Sequence, residues 1–246
     1  MTLGIMQSYF FPYLGYFSLI DAVDKMMLYE HVTYRKRTWV NRNRLLNKGT
    51  GEPTFITVPV SGIYSNILMR DVQIDQTSGW QKSIKNFLLF NYRKAEYFEE
   101  IFQFVSDLLK DNSTSSLHEM NASIIIAISV KLGLTTDITY KHDQYLDLEQ
   151  KLMSEDDREI PIKLQRIASV CHEEGASIYI NPSGGQDLYD PEMFYKLGIS
   201  LKFILPDSFL YSQFGKYEVP NLSIIDCLMH KGWIDTREAI RKYDFK

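Results

Sequence analysis

The sequence predicts an α/β fold, a mostly parallel sheet packed with helices, and three observations lead there. Within residues 1–30 an apolar strand at 3–6, a helix-spaced segment (Tyr16, Leu19, Ile20, Val23) and a second apolar strand at 26–29 follow one another, the opening of a βαβ unit. Later, a helical stretch at 162–174 closed by Gly175 feeds a strand at 176–180, and residues 200–205 read as a further strand. Between the two regions, continuous helical periodicity predicts a helical insertion at about 80–132.

The remaining elements follow from local chemistry. Residues 9–15 turn, because Pro12 and Gly15 interrupt a run of rings that would make a poor helix. Residues 55–60 alternate and are strand-like, as are 68–74, with a loop at 61–66. Apolar residues three and four apart predict helices at 80–92, 97–109 and 117–132, the last preceded by Ser115 and Ser116 and ended by Gly133. A strand is expected at 136–140. The polar, acidic stretch 143–157 is expected to be the most mobile part. After the strand at 176–180 comes Asn181-Pro182-Ser183-Gly184-Gly185, a bent segment without bulk, and residues 223–231 form a closing helix. No internal repeat interrupts the pattern, so residues 1–246 are expected to form one domain.

Composition excludes several classes. With 246 residues, 45% hydrophobic and 24% charged, the chain can bury a substantial core. No run approaches the ~18 consecutive apolar residues of a membrane span, and the N-terminal residues lack the basic flank of a signal peptide. A cytoplasmic protein is expected, with Cys171 and Cys227 reduced and buried. The net charge of −4 does not favour nucleic acid overall. There is no His-x-x-x-His or Cys-x-x-Cys spacing for a metal, and no P-loop, hydrolase elbow or Gly-x-Gly-x-x-Gly.

Two segments stand out against this ordinary background. Six of the eleven residues 7–17 are aromatic, and the run 34–44 holds five of the chain's 27 cations, interleaved with Tyr34, Trp39, Asn41 and Asn43. Rings beside a backbone bend make rigid walls for a planar ligand, and guanidinium forks suit phosphate. A nucleotide or nucleotide-sugar is therefore the expected ligand. Tyr9, Tyr16 and Trp39 would stack on base or sugar, Pro12 and Gly15 would shape the turn, and Gln7 and Asn43 would orient polar edges. Arg37, Arg42 and Arg44 would clamp the pyrophosphate, with Tyr16 and Arg42 facing each other across one crevice. Asn181, Ser183, Gly184 and Gly185, following a strand, could offer donors to a second anionic group or an oxyanion.

These residues carry a resemblance. Gln7, Tyr9-Phe10-Phe11-Pro12-Tyr13, Gly15-Tyr16-Phe17, Leu19-Ile20, Lys36-Arg37, Trp39, Asn41-Arg42-Asn43-Arg44, Asn181–Gly185 and residues 220–226 together resemble the WbqC-like family, over about residues 3–233. That family is associated with bacterial O-antigen and other surface-polysaccharide gene clusters. The resemblance implies a transferase that N-acylates an amino sugar, with a glycyl group proposed for some members. Two positions depart from the family pattern: Ser83-Ile84 stand where a Lys-His pair is common, and Lys231 where an Asn often precedes Gly232. Pro12–Tyr16 is also similar in placement to the His-x-Gly-His element of nucleotidyltransferase-like (HUP-like, Rossmann-like) folds. Tyr16 stands where the second His would, and the first is missing.

Acyl transfer to an amine calls for a base and for oxyanion donors. His31 and Glu30, just after the second strand, and His118, early in the third helix of the insertion, are the candidates; His142, His172 and His230 are assigned no role. No cofactor is marked beyond an activated acyl or aminoacyl donor. The absence of a marked nucleophile favours direct transfer between bound substrates. Two alternatives stand beside this reading: a non-catalytic nucleotide-sugar-binding or scaffold protein, and a transferase using aminoacyl-tRNA.

Overall fold

The computed structural model describes residues 1–110, 114–154 and 160–246. In chain order, β1 (Thr2–Met6) leads to α1 (Leu14–Asp21) and β2 (Lys25–Leu28). A hairpin follows, β3 (Arg42–Asn47) with β4 (Glu52–Thr57), then a two-residue ladder of β5 (Val60–Ser61) with β6 (Gln73–Ile74). Helices α2 (Trp80–Tyr92), α3 (Phe98–Lys110) and α4 (Leu117–Lys131) precede β7 (Asp137–Thr139). After α5 (Leu146–Ser154) and α6 (Ile162–Glu173) come β8 (Ile178–Pro182), α7 (Pro191–Lys196) and β9 (Ser200–Pro206). The chain closes with α8 (Ile224–Ile240) and β10 (Tyr243–Phe245).

Six strands make a mixed sheet in the spatial order β10-β9-β8-β1-β2-β7. Every pair is parallel except β9 with β10. From β1 the chain moves one way through β2 and β7 and the other way through β8 and β9, so winding reverses between β1 and β8. Both faces of the sheet are covered. Met26 and Leu28 enter one apolar cluster, whereas Met27 and Tyr29 enter the other, as the two-residue side-chain period of a strand requires.

Two expectations need correction. Residues 68–74 form a 3₁₀ turn at Met69–Asp71 and only a two-residue strand. The alternating stretch at 55–60 is split into β4 and β5 at Val58-Pro59, where proline has no N–H for a ladder. In the acidic stretch 143–157, residues 143–154 form a 3₁₀ turn and α5, with Tyr145 Oη donating to Glu174 (2.6 Å) and Arg166 Nε to Glu149 (2.6 Å); residues 155–157 lie outside the described residues. The closing helix runs on past Lys231, broken at Gly232 with φ of 61°. A Cβ there would lie 2.7 Å from the ring of Tyr97.

The aromatic segment after β1 is a pinned loop. Phe10 and Phe11 are fully buried, each contributing about 2 kcal/mol of transfer free energy. Phe11 holds φ of 41°, unfavourable for a residue with a side chain. Asn43 Nδ2 donates to the carbonyls of Phe10 (3.0 Å) and Phe11 (2.7 Å), and Ser223 Oγ donates to the Phe11 carbonyl (2.8 Å). Phe10 N–H reaches Trp39 O, and Ile224 N–H reaches Pro12 O, both at 2.9 Å. On the other side Asn121 Nδ2, from α4, donates to the carbonyls of Ser8 and Val40. Because Asn43 serves two buried carbonyls, Asn43→Ala is expected to cost about 2–3 kcal/mol. Urea unfolding checks this; a loss under about 0.5 kcal/mol would show that the clamp is not what holds the loop.

Candidate functional site

Where β1 and β8 end side by side, a cleft of about 590 Å³ opens. Ile5, Met6 and Gln7 continue β1 into it, and Tyr179, Asn181 and Pro182 come from β8. The pinned loop supplies Tyr9 and Tyr13, the basic run supplies Trp39, the end of β2 supplies Tyr29, and Gly184 and Gly185 offer bare backbone. Lys163 and Arg166 reach it from α6. A second lobe of about 330 Å³ shares Tyr9, Tyr13 and Trp39 and adds Asn43, Arg44 and Asn221. A third, of about 320 Å³, includes Tyr13, Gly15, Ser183, Asp207 and Asn221.

Tyr13 borders all three lobes. Its ring lies across Gly15, where a Cβ would come within 2.6 Å of Cε2. Gly15 thus makes room for a ring of the protein itself. Burial raises the phenol pKa values of Tyr9 and Tyr13, so both are protonated donors near neutrality.

The charge in the cleft is mainly on α6. Arg166 presents Nε (2.6 Å) and Nη2 (2.7 Å) to the two oxygens of Glu149, a side-on fork. Tyr29 Oη donates to the same Glu149 Oε1 at 2.6 Å. Burial first, and then this hydrogen bond, raise the Tyr29 phenol far above its ordinary range. Lys163 lies 5.6 Å from the ring centre of Tyr189.

The structure brings together Gln7, Tyr9, Trp39, Asn43, Arg44, Asn181, Ser183, Gly184 and Gly185 around these lobes, but it separates the pair expected to face each other. Tyr16 is 1% exposed, and its Oη donates to the Gln7 carbonyl at 2.8 Å. Tyr16 backs Tyr9, ring centres 5.5 Å apart, and does not itself line the cleft. Arg42 lies over Phe55, 4.1 Å from the ring centre, because β3 pairs Arg44 with Phe55 and sends alternate side chains to one face. Arg37 is exposed with φ of 62°, and Pro12 is buried with its carbonyl accepting from Ile224 N–H; neither borders any of the three lobes.

The expected acid–base residues lie behind the cleft. Glu30 is 3% exposed and accepts from His142 N–H (2.8 Å) and His142 Nδ1–H (2.6 Å). Burial alone would raise its pKa, but the hydrogen bonds and charge of His142 more than offset that and lower it. His31 Nε2 donates to the His142 carbonyl at 2.8 Å, leaving Nδ1 buried and unpartnered. His118 Nε2 donates to the Tyr140 carbonyl (2.6 Å), so Nδ1 accepts from Ser8 Oγ (2.9 Å), and burial lowers its pKa. None of the three lines the cleft. Sequence reasoning passed over His142, which ties the end of β2 to the segment after β7, and also Tyr13, Tyr29, Lys163, Arg166 and Asn221. A Lys-x-x-Arg pair in the first turns of a helix was the one available signal for the α6 cations.

The model of the WbqC-like protein family matches residues 7–238. The chain belongs to the WbqC-like protein family. An uncharacterized protein of Mycobacterium tuberculosis, Rv1507c, is 30% identical over 233 residues, covering 93% of each chain. No solved structure matches at a significant level. The residues that carried the expected resemblance divide physically: Gln7, Tyr9, Tyr13, Trp39 and Arg44 border the lobes, whereas Phe10, Phe11 and Ser223 hold the loop. The positions expected to depart from the family pattern lie away from the cleft, Ser83 and Ile84 in a groove on α2 and Lys231 beside the break in α8. Among the described residues no helix is long and apolar enough to cross a membrane, and no group of three or more His, Cys, Asp or Glu could hold a metal ion.

Because the folded-state pKa of Glu30 is depressed, its contribution to stability is present above about pH 4.3, the unfolded value, and is lost as pH falls through the folded value. Glu30→Gln is therefore expected to lower the melting temperature at pH 7, with the gap from the wild type closing in acid. A gap that stays constant from pH 7 to pH 3 would contradict the pairing.

Proposed function

We propose that the cleft binds a nucleotide-linked amino sugar and that the protein is a transferase placing an acyl or aminoacyl group on the sugar's amine in surface-polysaccharide biosynthesis. The observation that carries this is the meeting of Tyr9, Tyr13, Trp39, Tyr29 and Tyr189 with Lys163 and Arg166 in one cleft beyond the carboxyl ends of β1 and β8. Counted in chain order, the six strands stand 3-2-1-4-5-6, the order of doubly wound nucleotide-binding sheets, with the sixth antiparallel. That order supports a Rossmann-like reading of the fold. Family membership supports the substrate class.

Transfer would join the neutral amine to the donor carbonyl, form the C–N bond, expel the donor's leaving group and release one proton from the amine. Among the described residues, the main cleft's lining holds no carboxylate or imidazole to take that proton, which would pass to water or to the exposed Asp207 of the third lobe. The cleft's contribution is then to hold donor and acceptor together, with Asn181 Nδ2 and the tyrosine hydroxyls as donors to a developing oxyanion. The neighbouring lobes that share Tyr13 offer space for the second reactant. Free, buried Cys171 and Cys227 suit a reducing cytoplasm.

A non-catalytic sugar-nucleotide binder is the second reading. It is favoured by the burial of Glu30, His31 and His118 against protein partners. The exposed Arg35, Lys36 and Arg37 would be where a tRNA-borne donor is steered, and such binding would weaken steeply with salt.

Calorimetric titration with a panel of nucleotides and nucleotide sugars tests the binding. At least one is expected to bind, and Tyr13→Ala is expected to weaken it about tenfold or more through loss of stacking area. A panel that neither binds nor raises the melting temperature overturns the reading. Amide formation with an activated acyl donor separates the transferase from the binder.

A further inference from the structure

The cavities carry two sets of cations, Arg44 in the lobe beside Trp39 and the pair Lys163 and Arg166 on α6. We infer that the ligand's phosphates sit at the second set: Lys163, Arg166 and Asn181 form a diphosphate subsite at the α6 end of the main cleft, and Glu149 and Tyr29 are positioning residues for Arg166. This rests on the proposed reading of the cleft as a nucleotide site and specifies where that nucleotide's charge is held.

Arg166 is pre-organised. Its fork to Glu149 and the third hydrogen bond from Tyr29 to the same carboxylate fix the guanidinium before any ligand arrives. Only 19% of the side chain is exposed, and Nη1 has no hydrogen-bond partner among the described residues. Ordering a long side chain in advance removes an entropic cost from binding. Lys163, one turn earlier, has no carboxylate partner among the described residues, so its charge is available.

Asn181 is the independent observation. It is 6% exposed yet lines the cleft, and Tyr179 Oη donates to its Oδ1 at 3.1 Å, which leaves Nδ2 against the bare backbone of Gly185 with no hydrogen-bond partner among the described residues. Its amide fits only because position 185 is glycine; a Cβ there would lie 1.8 Å from Nδ2. A largely buried amide whose N–H groups are unused among the described residues, in the same cleft as two cations, suits an oxyanion.

The sequence of α6 makes the same point. Its first turn contains no acidic residue, and Lys163 and Arg166 sit toward the positive end of the helix dipole. Cations there are disfavoured by the helix dipole. Glu149 compensates one of the two. Among the described residues no carboxylate pairs with Lys163, and a bound diphosphate would compensate it.

The basic run is engaged differently. Arg44 lies 5.4 Å from the ring centre of Trp39 with Nη2 3.4 Å from the Asn221 carbonyl, and Arg42 covers Phe55. Both guanidinium groups lie over rings, and neither lines the main cleft.

The test is calorimetric titration with UDP and with uridine, comparing the wild type, Lys163→Glu, Arg166→Gln and Arg44→Ala. Lys163 is exposed, so Lys163→Glu keeps the fold even if Arg166→Gln, which strands Glu149, does not. The expected result is UDP binding weakened about tenfold or more in Lys163→Glu, uridine binding unchanged, and UDP affinity in Arg44→Ala within about twofold of the wild type. UDP binding that is intact in Lys163→Glu but lost in Arg44→Ala overturns the subsite while leaving the nucleotide cleft standing. Failure of the wild type to bind UDP, uridine or any member of the earlier panel removes the cleft reading itself.

Discussion

The site depends on the pinning of one loop. The chain leaves β1 carrying a run of rings, and two of them, Phe10 and Phe11, are driven into the core. Their burial forces an unfavourable backbone at Phe11, and Asn43, Ser223 and Asn121 supply the hydrogen bonds that hold it. With those anchors in place, the neighbours Tyr9 and Tyr13 cannot follow into the core. They are left standing at the cleft, backed by Tyr16 and by the bare surface of Gly15. Strain and exposure at the site are thus sustained by satisfaction beneath it.

A second division of labour concerns charge. The chain is net negative, and its densest cation run lies at 35–44. Period-2 alternation in β3 sends Asn43 and Leu45 inward and Arg42 and Arg44 outward onto Phe55 and Trp39. The deeper positive charge comes from α6, a helix with nothing unusual in its composition. There a buried carboxylate, Glu149, and a phenol, Tyr29, convert an ordinary arginine into a fixed fork.

The buried histidines show a related point. Glu30 and His31 do follow β2 at the carboxyl edge of the sheet, where a functional group is expected. Yet His142 fills the space beside them, giving Glu30 two hydrogen bonds and His31 a carbonyl. A strand-end position puts a residue near a crevice, but which way its side chain turns is settled by what packs next to it.

Much of the fold was legible because it rests on local periodicity. The apolar spacing of α2, α3 and α4, the Ser116 cap and the Gly133 stop mark three helices whose observed bounds lie within a residue or so of those read from sequence. The strands β1, β2, β8 and β9 were visible as short apolar runs. The hairpin of β3 and β4, the short α7 and β10 were not, since charged or brief segments carry little hydrophobic pattern and form through their partners. By itself the sequence determined the α/β class, the family and the rings, asparagines and glycines from which the site is made, since these follow from residue type and near spacing. Only the tertiary structure decided that Tyr13 rather than Tyr16 faces the cleft, and that Arg166 rather than Arg42 lines it. Those choices turn on contacts between segments far apart in the chain, and no local pattern encodes which face of a residue a distant neighbour will cover.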